Sequence, residues 1–224
     1  MTLTPVEIEA LRLSLKVASV AVAASLPFGI ALGWLLARHR FPGHGLLNGL
    51  IHLPLILPPV VTGYLLLVGF GAQGPLGRAL AAVGVNLAFT WKGAALAAAV
   101  MAFPLMVRAI RLAAEAIDPG LEQAAASLGA PRRWVWATVT LPLMLPGILA
   151  GAVLAFAKAL GEFGATMTFV ANIPGQTRTL PLAIHAALQQ PGGEAPAMRL
   201  ALLSIALAAG ALIVSEALTR RLKR

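Results

Sequence analysis

Five stretches of this chain are long and apolar enough to cross a lipid bilayer, and no other property of the sequence restricts its architecture so strongly. A hydrocarbon core of about 30 Å takes roughly 20 residues of helix. The stretches cover about 13–37, 46–70, 90–110, 141–170 and 198–218. Lipid offers no partner to a backbone donor or acceptor, so segments of this kind are helices rather than open sheets. The charge content agrees, since only 11% of the residues are charged, 59% are hydrophobic and the mean hydropathy is +0.86. Soluble domains carry about 25% charged residues, and a chain this poor in charge cannot face water on all sides. The expected fold class is an all-α integral membrane protein with about five transmembrane helices. No linker, charge run or internal repeat divides it, so residues 1–224 read as a single transmembrane domain.

The formal net charge of +9 would suggest nucleic acid in a soluble protein. Here the cations fall between apolar runs, where membrane topology accounts for them. If the N-terminus is outside, the inner side carries Arg38, Arg40, Arg108, Arg111, Arg132, Arg133, Arg220, Arg221, Lys223 and Arg224. The outer side carries Arg12, Lys16, Arg78, Lys92, Arg178 and Arg199, so ten cations face six. Because Lys and Arg accumulate on the cytoplasmic side, the reading is N-out and C-in. The opening residues MTLTPVEIEALRLSLK lack a purely basic n-region and a clear small-residue cleavage site, so the first span is expected to be retained. Two outer loops follow from this topology. Residues 71–89 are Gly-rich, and residues 171–197 contain an apolar piece too short to span, read as an interfacial or re-entrant helix.

Several chemistries are excluded. The chain has no cysteine, hence no disulfide, thiolate metal site or Cys nucleophile. His39, His44, His52 and His185 are scattered without ligand spacing, and no metal site is expected. Gly69, Gly71 and Gly74 match a dinucleotide fingerprint, but they follow a membrane span and lead into a loop at Pro75 rather than joining a strand to a helix. There is no P-loop, H-E-x-x-H or G-x-S-x-G. The chain therefore reads as non-catalytic, with no catalytic residue and no bound cofactor.

Two features inside the spans are candidates for a transport pathway. Pro54, Pro58 and Pro59 interrupt the second span, and each removes a backbone donor and obstructs the preceding turn. Broken helices persist in membranes only where protein or a water-filled cavity satisfies the freed carbonyls. Thr62 and Tyr64 add polar groups near the break. Lys158 and Glu162 lie in the fourth stretch, four residues apart and so on one helical face, and charges within spans usually face the bundle interior. Pro58, Pro59, Thr62, Tyr64, Lys158, Glu162 and Thr166 are thus the candidate pathway residues. Read otherwise, the prolines make a packing kink and Lys158–Glu162 is a structural ion pair.

Residues 118–142, DPGLEQAAASLGAPRRWVWATVTLP, interrupt the apolar pattern with charge. Asp118 can cap a helix whose first residue is Pro119, and Glu122 suits the dipole near its start. Gly129 is a left-handed terminator, followed by Pro131. The helix is expected over about 119–128, roughly 15 Å at 1.5 Å per residue, half a bilayer and too short to span. Leu121, Ala124, Ala125 and Leu128 share a face whose small side chains admit a partner closely. The segment is therefore read as a cytoplasmic docking helix flanked by Ala130, Arg132 and Arg133, with an ordinary connector as the plainer alternative.

The same segment resembles the "EAA" loop of permease subunits of binding-protein-dependent ABC importers, E-A-A-x3-G-x9-I-x-L-P. Aligned on Gly129, the chain reads Gln123-Ala124-Ala125, three residues, Gly129, nine residues, then Val139-Thr140-Leu141-Pro142. Gln123 stands where the acid usually lies, with Glu122 one place earlier, and Val139 replaces Ile. If the acid contacts an ATPase, Glu122 or neutral hydrogen bonds would have to serve. SLPFGIALGWLLAR, FPGHGLLNGLIHLPLILPPVVTGYLLL, MAFPLMVRAIRLA, LGEFGATMTFVANIPGQTRTLP and SEALTRR extend the similarity over nearly the whole chain, to molybdate ABC importer permeases. The resemblance implies a type I importer permease fold, a homodimer and two cytoplasmic ATPase subunits that use ATP and Mg. It also implies a periplasmic or lipid-anchored oxyanion-binding protein, with the short helix acting as a coupling helix in an ATPase groove. Sulfate/thiosulfate and tungstate permeases share this plan, and an ion channel or secondary transporter is the alternative of another class.

Overall fold

The structure, a computed structural model, describes residues 3–222. Lys223 and Arg224, and the side chains of Arg220 and Arg221, all counted in the topology above, lie outside the described residues. Helices α1 (Pro5–Arg38), α2 (His44–Ile56), α3 (Pro59–Phe70), α4 (Pro75–Ala81), α5 (Trp91–Glu115), α6 (Pro119–Ser127) and α7 (Arg132–Val135) come first. A π-helical stretch, Trp136–Thr140, leads into α8 (Leu141–Leu160), and α9 (Gly164–Val170), α10 (Leu180–Leu188) and α11 (Glu194–Leu222) complete the chain. No strand occurs among the described residues.

Helix α5 is the axis of the bundle. Of its most apolar window 61% is buried, against 11% for α11, because both α1 and α8 pack against it. Side chains small enough to let backbones approach make this possible, as is usual between helices in lipid. A Cβ on Gly33 of α1 would come within 2.8 Å of Ile110, and one on Gly147 of α8 would collide with Ala113. The core of Ala98, Met101, Met106, Ile110, Met144 and Ile148 fills the space between. The N-terminal end of α1 is tied to α11, where Arg199 donates through Nε and Nη2 to Glu7 Oε1 at 3.1 and 2.9 Å. Helix α10 is fixed to α1 by Leu180 N donating to the Ser14 hydroxyl at 2.7 Å.

Among the described residues four helices are long and apolar enough to span, or five if the bent pair α2–α3 counts as one. The second stretch breaks at its prolines, as their positions predict, whereas the bounds of the fourth need correction. The second stretch, 46–70, is not a single rod: α2 and α3 meet at 114° across Leu57 and Pro58. Successive prolines deprive Leu50 and Pro54 of the donors their carbonyls would take in a continuous helix. The fourth stretch, 141–170, begins earlier and ends sooner, as a continuous helix over Arg132–Leu160. It stops at Gly161, and residues 164–170 form the separate helix α9, packed against α3. Helix α10 is the short helix expected inside 171–197, and the Gly-rich stretch 71–89 contains a further helix, α4.

Candidate functional site

Helix α6 forms as its residues dictate. Asp118 Oδ1 accepts from Gly120 N at 2.8 Å, and Pro119 occupies the first position, where its missing donor costs nothing. The helix stops at Ser127, a residue earlier than expected, with Leu128 as its cap. Gly129 has φ +83°, and Ala130 N returns to Ala125 O at 3.3 Å, closing the last turn. No residue of α6 is buried. Leu121, Gln123 and Ala124 are exposed, Ala125 and Ala130 half-buried, and Leu128 is 90% exposed. Arg132 and Arg133 are exposed just beyond. A helix presenting leucines and alanines outward beside two arginines is unsatisfied apolar surface with a cationic rim, the composition of a docking element.

Glu122 is the charged side chain of α6 that points the other way. Its Oε1 accepts from Thr140 Oγ1 at 2.7 Å and from Arg38 Nη2 at 3.3 Å, while the same Arg38 nitrogen donates to Ile117 O at 3.2 Å. Helix α6 is thereby clamped to the end of α1 and to the π-helical entry of α8. Arg38 Nε is buried without an acceptor, so the clamp is held against an uncompensated donor. Trp34 and Trp136 meet edge to face beside it, with centroids 6.3 Å apart. The Glu122 carboxylate is thus engaged within the chain through Oε1, while Gln123 is exposed. Neither Arg38 nor Thr140 was singled out by sequence as a partner of Glu122. Thr140 lies within the Val139–Pro142 motif, which was a usable signal, but nothing in the sequence pairs residues 38 and 122.

The other candidates meet at the break between α2 and α3. A Cβ on Gly63 would come within 2.6 Å of Ala165 O, and one on Gly164 within 2.7 Å of Pro59 Cβ, so α9 lies directly on α3. Lys158 Nζ donates to Glu162 Oε2 at 3.2 Å, as the spacing anticipates. Glu162, however, lies beyond the end of α8 rather than inside a helix. Its Oε1 accepts from Ala165 N at 3.0 Å, so it caps the start of α9 while it pairs with Lys158. The Glu162 side chain is 2% exposed and that of Lys158 is 33% exposed. Thr166 is buried, and Thr62 is buried with no partner for its hydroxyl. Pro58, Pro59 and Tyr64 are exposed. The structure therefore joins the proline break, Thr62 and the Lys158–Glu162 pair through the α3–α9 contact, while Tyr64 stands apart on an outer surface. Among the described residues no group of His, Asp and Glu has the arrangement of a metal site.

Residues 29–224 match the family model for the binding-protein-dependent transport system inner membrane component. The chain is 61% identical to the molybdenum transport system permease protein ModB of Escherichia coli (strain K12), over 98% of its length and 96% of that protein. It is 54% identical to ModB of Haemophilus influenzae, over 97% of its length and 96% of that protein. In three dimensions it resembles a chain of a bacterial ABC transporter involved in import of the acidic polysaccharide alginate. The TM-score there is 0.77 at 16% identity, covering 99% of this chain and 82% of the other, which is a likeness of fold.

Proposed function

We propose, from the premise that the chain belongs to the family of binding-protein-dependent transport system inner membrane components, that it is the membrane-spanning permease of an ATP-driven importer of molybdate. The observation that carries this is the 61% identity to the molybdenum permease of E. coli along almost the whole chain. The chain lacks a P-loop, so a separate ATPase supplies the energy. We take the functional unit to be a homodimer with two such ATPases and an oxyanion-binding protein on the far side. The topology is N-out and C-in, with α6 in the cytoplasm.

In this reading the exposed face of α6, with Leu121, Gln123, Ala124 and Leu128 and the adjoining Arg132 and Arg133, sits in a groove of the ATPase. Closure of the ATPase pair on ATP shifts α6. Glu122 passes that shift to α1 through Arg38 and to α8 through Thr140, the two helices that flank α5. A clamp through hydrogen bonds to a charged group is stiff enough for this, since such bonds are about twice as strong as neutral ones. Movement of α8 then carries Lys158 and, through Glu162, α9 against the broken α2–α3 pair, where the pathway opens and shuts. Uptake of labelled molybdate by a strain lacking its own permease tests the function. Restoration of uptake by this chain, with competition by molybdate stronger than by sulfate, is the expected outcome. Uptake that follows sulfate instead would reassign the substrate.

A further inference from the structure

One seam between α1, α2 and α5 carries two cavities of opposite character. Phe28, Leu32 and Leu36 on α1, and Phe103, Val107 and Arg111 on α5, recur every three or four residues, so each helix gives the seam a continuous stripe. At one end is a polar cavity of about 240 Å³ lined by Arg40, His44, Arg111 and Glu115. At the other is an open apolar slot of about 380 Å³ whose walls include Phe28, Leu50, Pro54, Val100 and Phe103. Ser25 also reaches this slot, but its hydroxyl is spent on Ala21 O at 2.7 Å. Between the two, Leu36, Ile51 and Val107 pack shut.

The polar end has a surplus of positive charge. Glu115 is taken by Arg111 Nε at 2.7 Å, and Arg111 Nη1 is taken by Asn48 Oδ1 at 3.1 Å. Arg40 has no carboxylate partner among the described residues. The 13-residue helix α2 starts at His44 with no side-chain cap, so its first-turn donors add to the same field. An anion placed here meets two guanidiniums and a helix start.

The separation of the two cavities identifies the anion. Phe103 and Glu115 are twelve residues apart on α5, which is about 18 Å at 1.5 Å per residue. One leaflet of the hydrocarbon core is half of about 30 Å. A phosphate at Arg40 thus has an apolar slot one acyl chain away along the same seam. We propose that this seam is a binding site for an anionic phospholipid. The phosphate lies between Arg40, Arg111 and the first turn of α2, and one acyl chain runs over the Leu36–Ile51–Val107 packing into the slot. Basic pockets between membrane helices hold acidic headgroups in this way. The inference depends on the chain being embedded in a membrane and is independent of the substrate it moves.

Native mass spectrometry of the purified full chain in detergent, titrated with phosphatidylglycerol or phosphatidylcholine, tests it. The wild type should retain one phosphatidylglycerol per chain in preference to phosphatidylcholine, and phosphatidylglycerol should raise its melting temperature. Arg40→Gln, at an exposed loop position, should lower the preference about fivefold, the effect of one cation near a membrane surface. Val100→Trp, which fills the slot, should weaken retention while leaving the cations in place. Equal retention of the two lipids, or a preference unchanged in Arg40→Gln, overturns the proposal. So does full displacement of phosphatidylglycerol by excess inorganic phosphate, which would make the cationic end a site for a soluble anion. If Val100→Trp does not fold, the Arg40→Gln comparison decides alone.

Discussion

Thr140 donates its hydroxyl to the Glu122 carboxylate at 2.7 Å, joining the exposed helix α6 to the π-helical entry of α8. π-Helical turns are rare and concentrate at functional positions, and this one presents Thr140 to the Glu122 carboxylate of α6. Thr140→Val removes the donor but keeps the shape. It is expected to cost about 1.5 kcal/mol of stability, the low end for a bond to a charged group because Glu122 is a quarter exposed. Transport should fall far more than ATPase binding. A thermal melt combined with uptake and pull-down measurements checks this, and a variant that binds the ATPase and transports normally would remove Glu122 from the relay.

Gly129 has φ +83° and open space where a Cβ would stand. Gly129→Asp therefore suffers backbone strain of about 1–2 kcal/mol rather than a clash. Membrane insertion should be intact while coupling to the ATPase is lost. Pull-down of the ATPase at wild-type strength together with normal uptake would contradict the role given to this turn.

The α3–α9 contact leaves no room for a methyl group at Gly63, where a Cβ would lie 2.6 Å from Ala165 O. Gly63→Ala should force the helices apart and abolish uptake, whereas Gly49→Ala, with nothing within 4 Å, should be nearly silent. Expression level and uptake of the two variants, measured side by side, give the comparison.

Lys158 and Glu162 invite a double-variant experiment. Lys158→Met alone strands a carboxylate only 2% exposed and should destabilise by about 2 kcal/mol, less than a fully buried pair because the lysine is partly open. Adding Glu162→Gln should restore most of that stability. If uptake returns with stability, the pair is a structural lock. If stability returns without uptake, the charges serve the pathway.

The topology is testable because the chain contains no cysteine. A single Cys at the exposed Ala126 should react with an impermeant thiol reagent in inverted vesicles and remain unlabelled in intact cells. Labelling from outside alone would invert the N-out, C-in assignment.

The sequence by itself determined the solvent, the number of apolar segments and the short capped helix α6. These are local properties: hydropathy over about 20 residues, an Asp-Pro start, a glycine stop and a fixed distance to Val139–Pro142 are all written within short windows. It also located the proline break and the Lys158–Glu162 contact, since four residues bring side chains together whether or not the helix continues. Only the tertiary structure decided that the break is a 114° bend, that α8 ends at Leu160 so that Glu162 caps α9, and that Glu122 turns inward to Arg38 and Thr140. Those outcomes depend on pairs distant in sequence, such as Gly63 with Ala165 or Arg38 with Glu122. In an apolar chain, hydropathy is nearly uniform along each helix and does not say which faces meet. That choice falls to the few small residues that admit a neighbour and the few charges that must find a partner, and both are settled only when the helices pack.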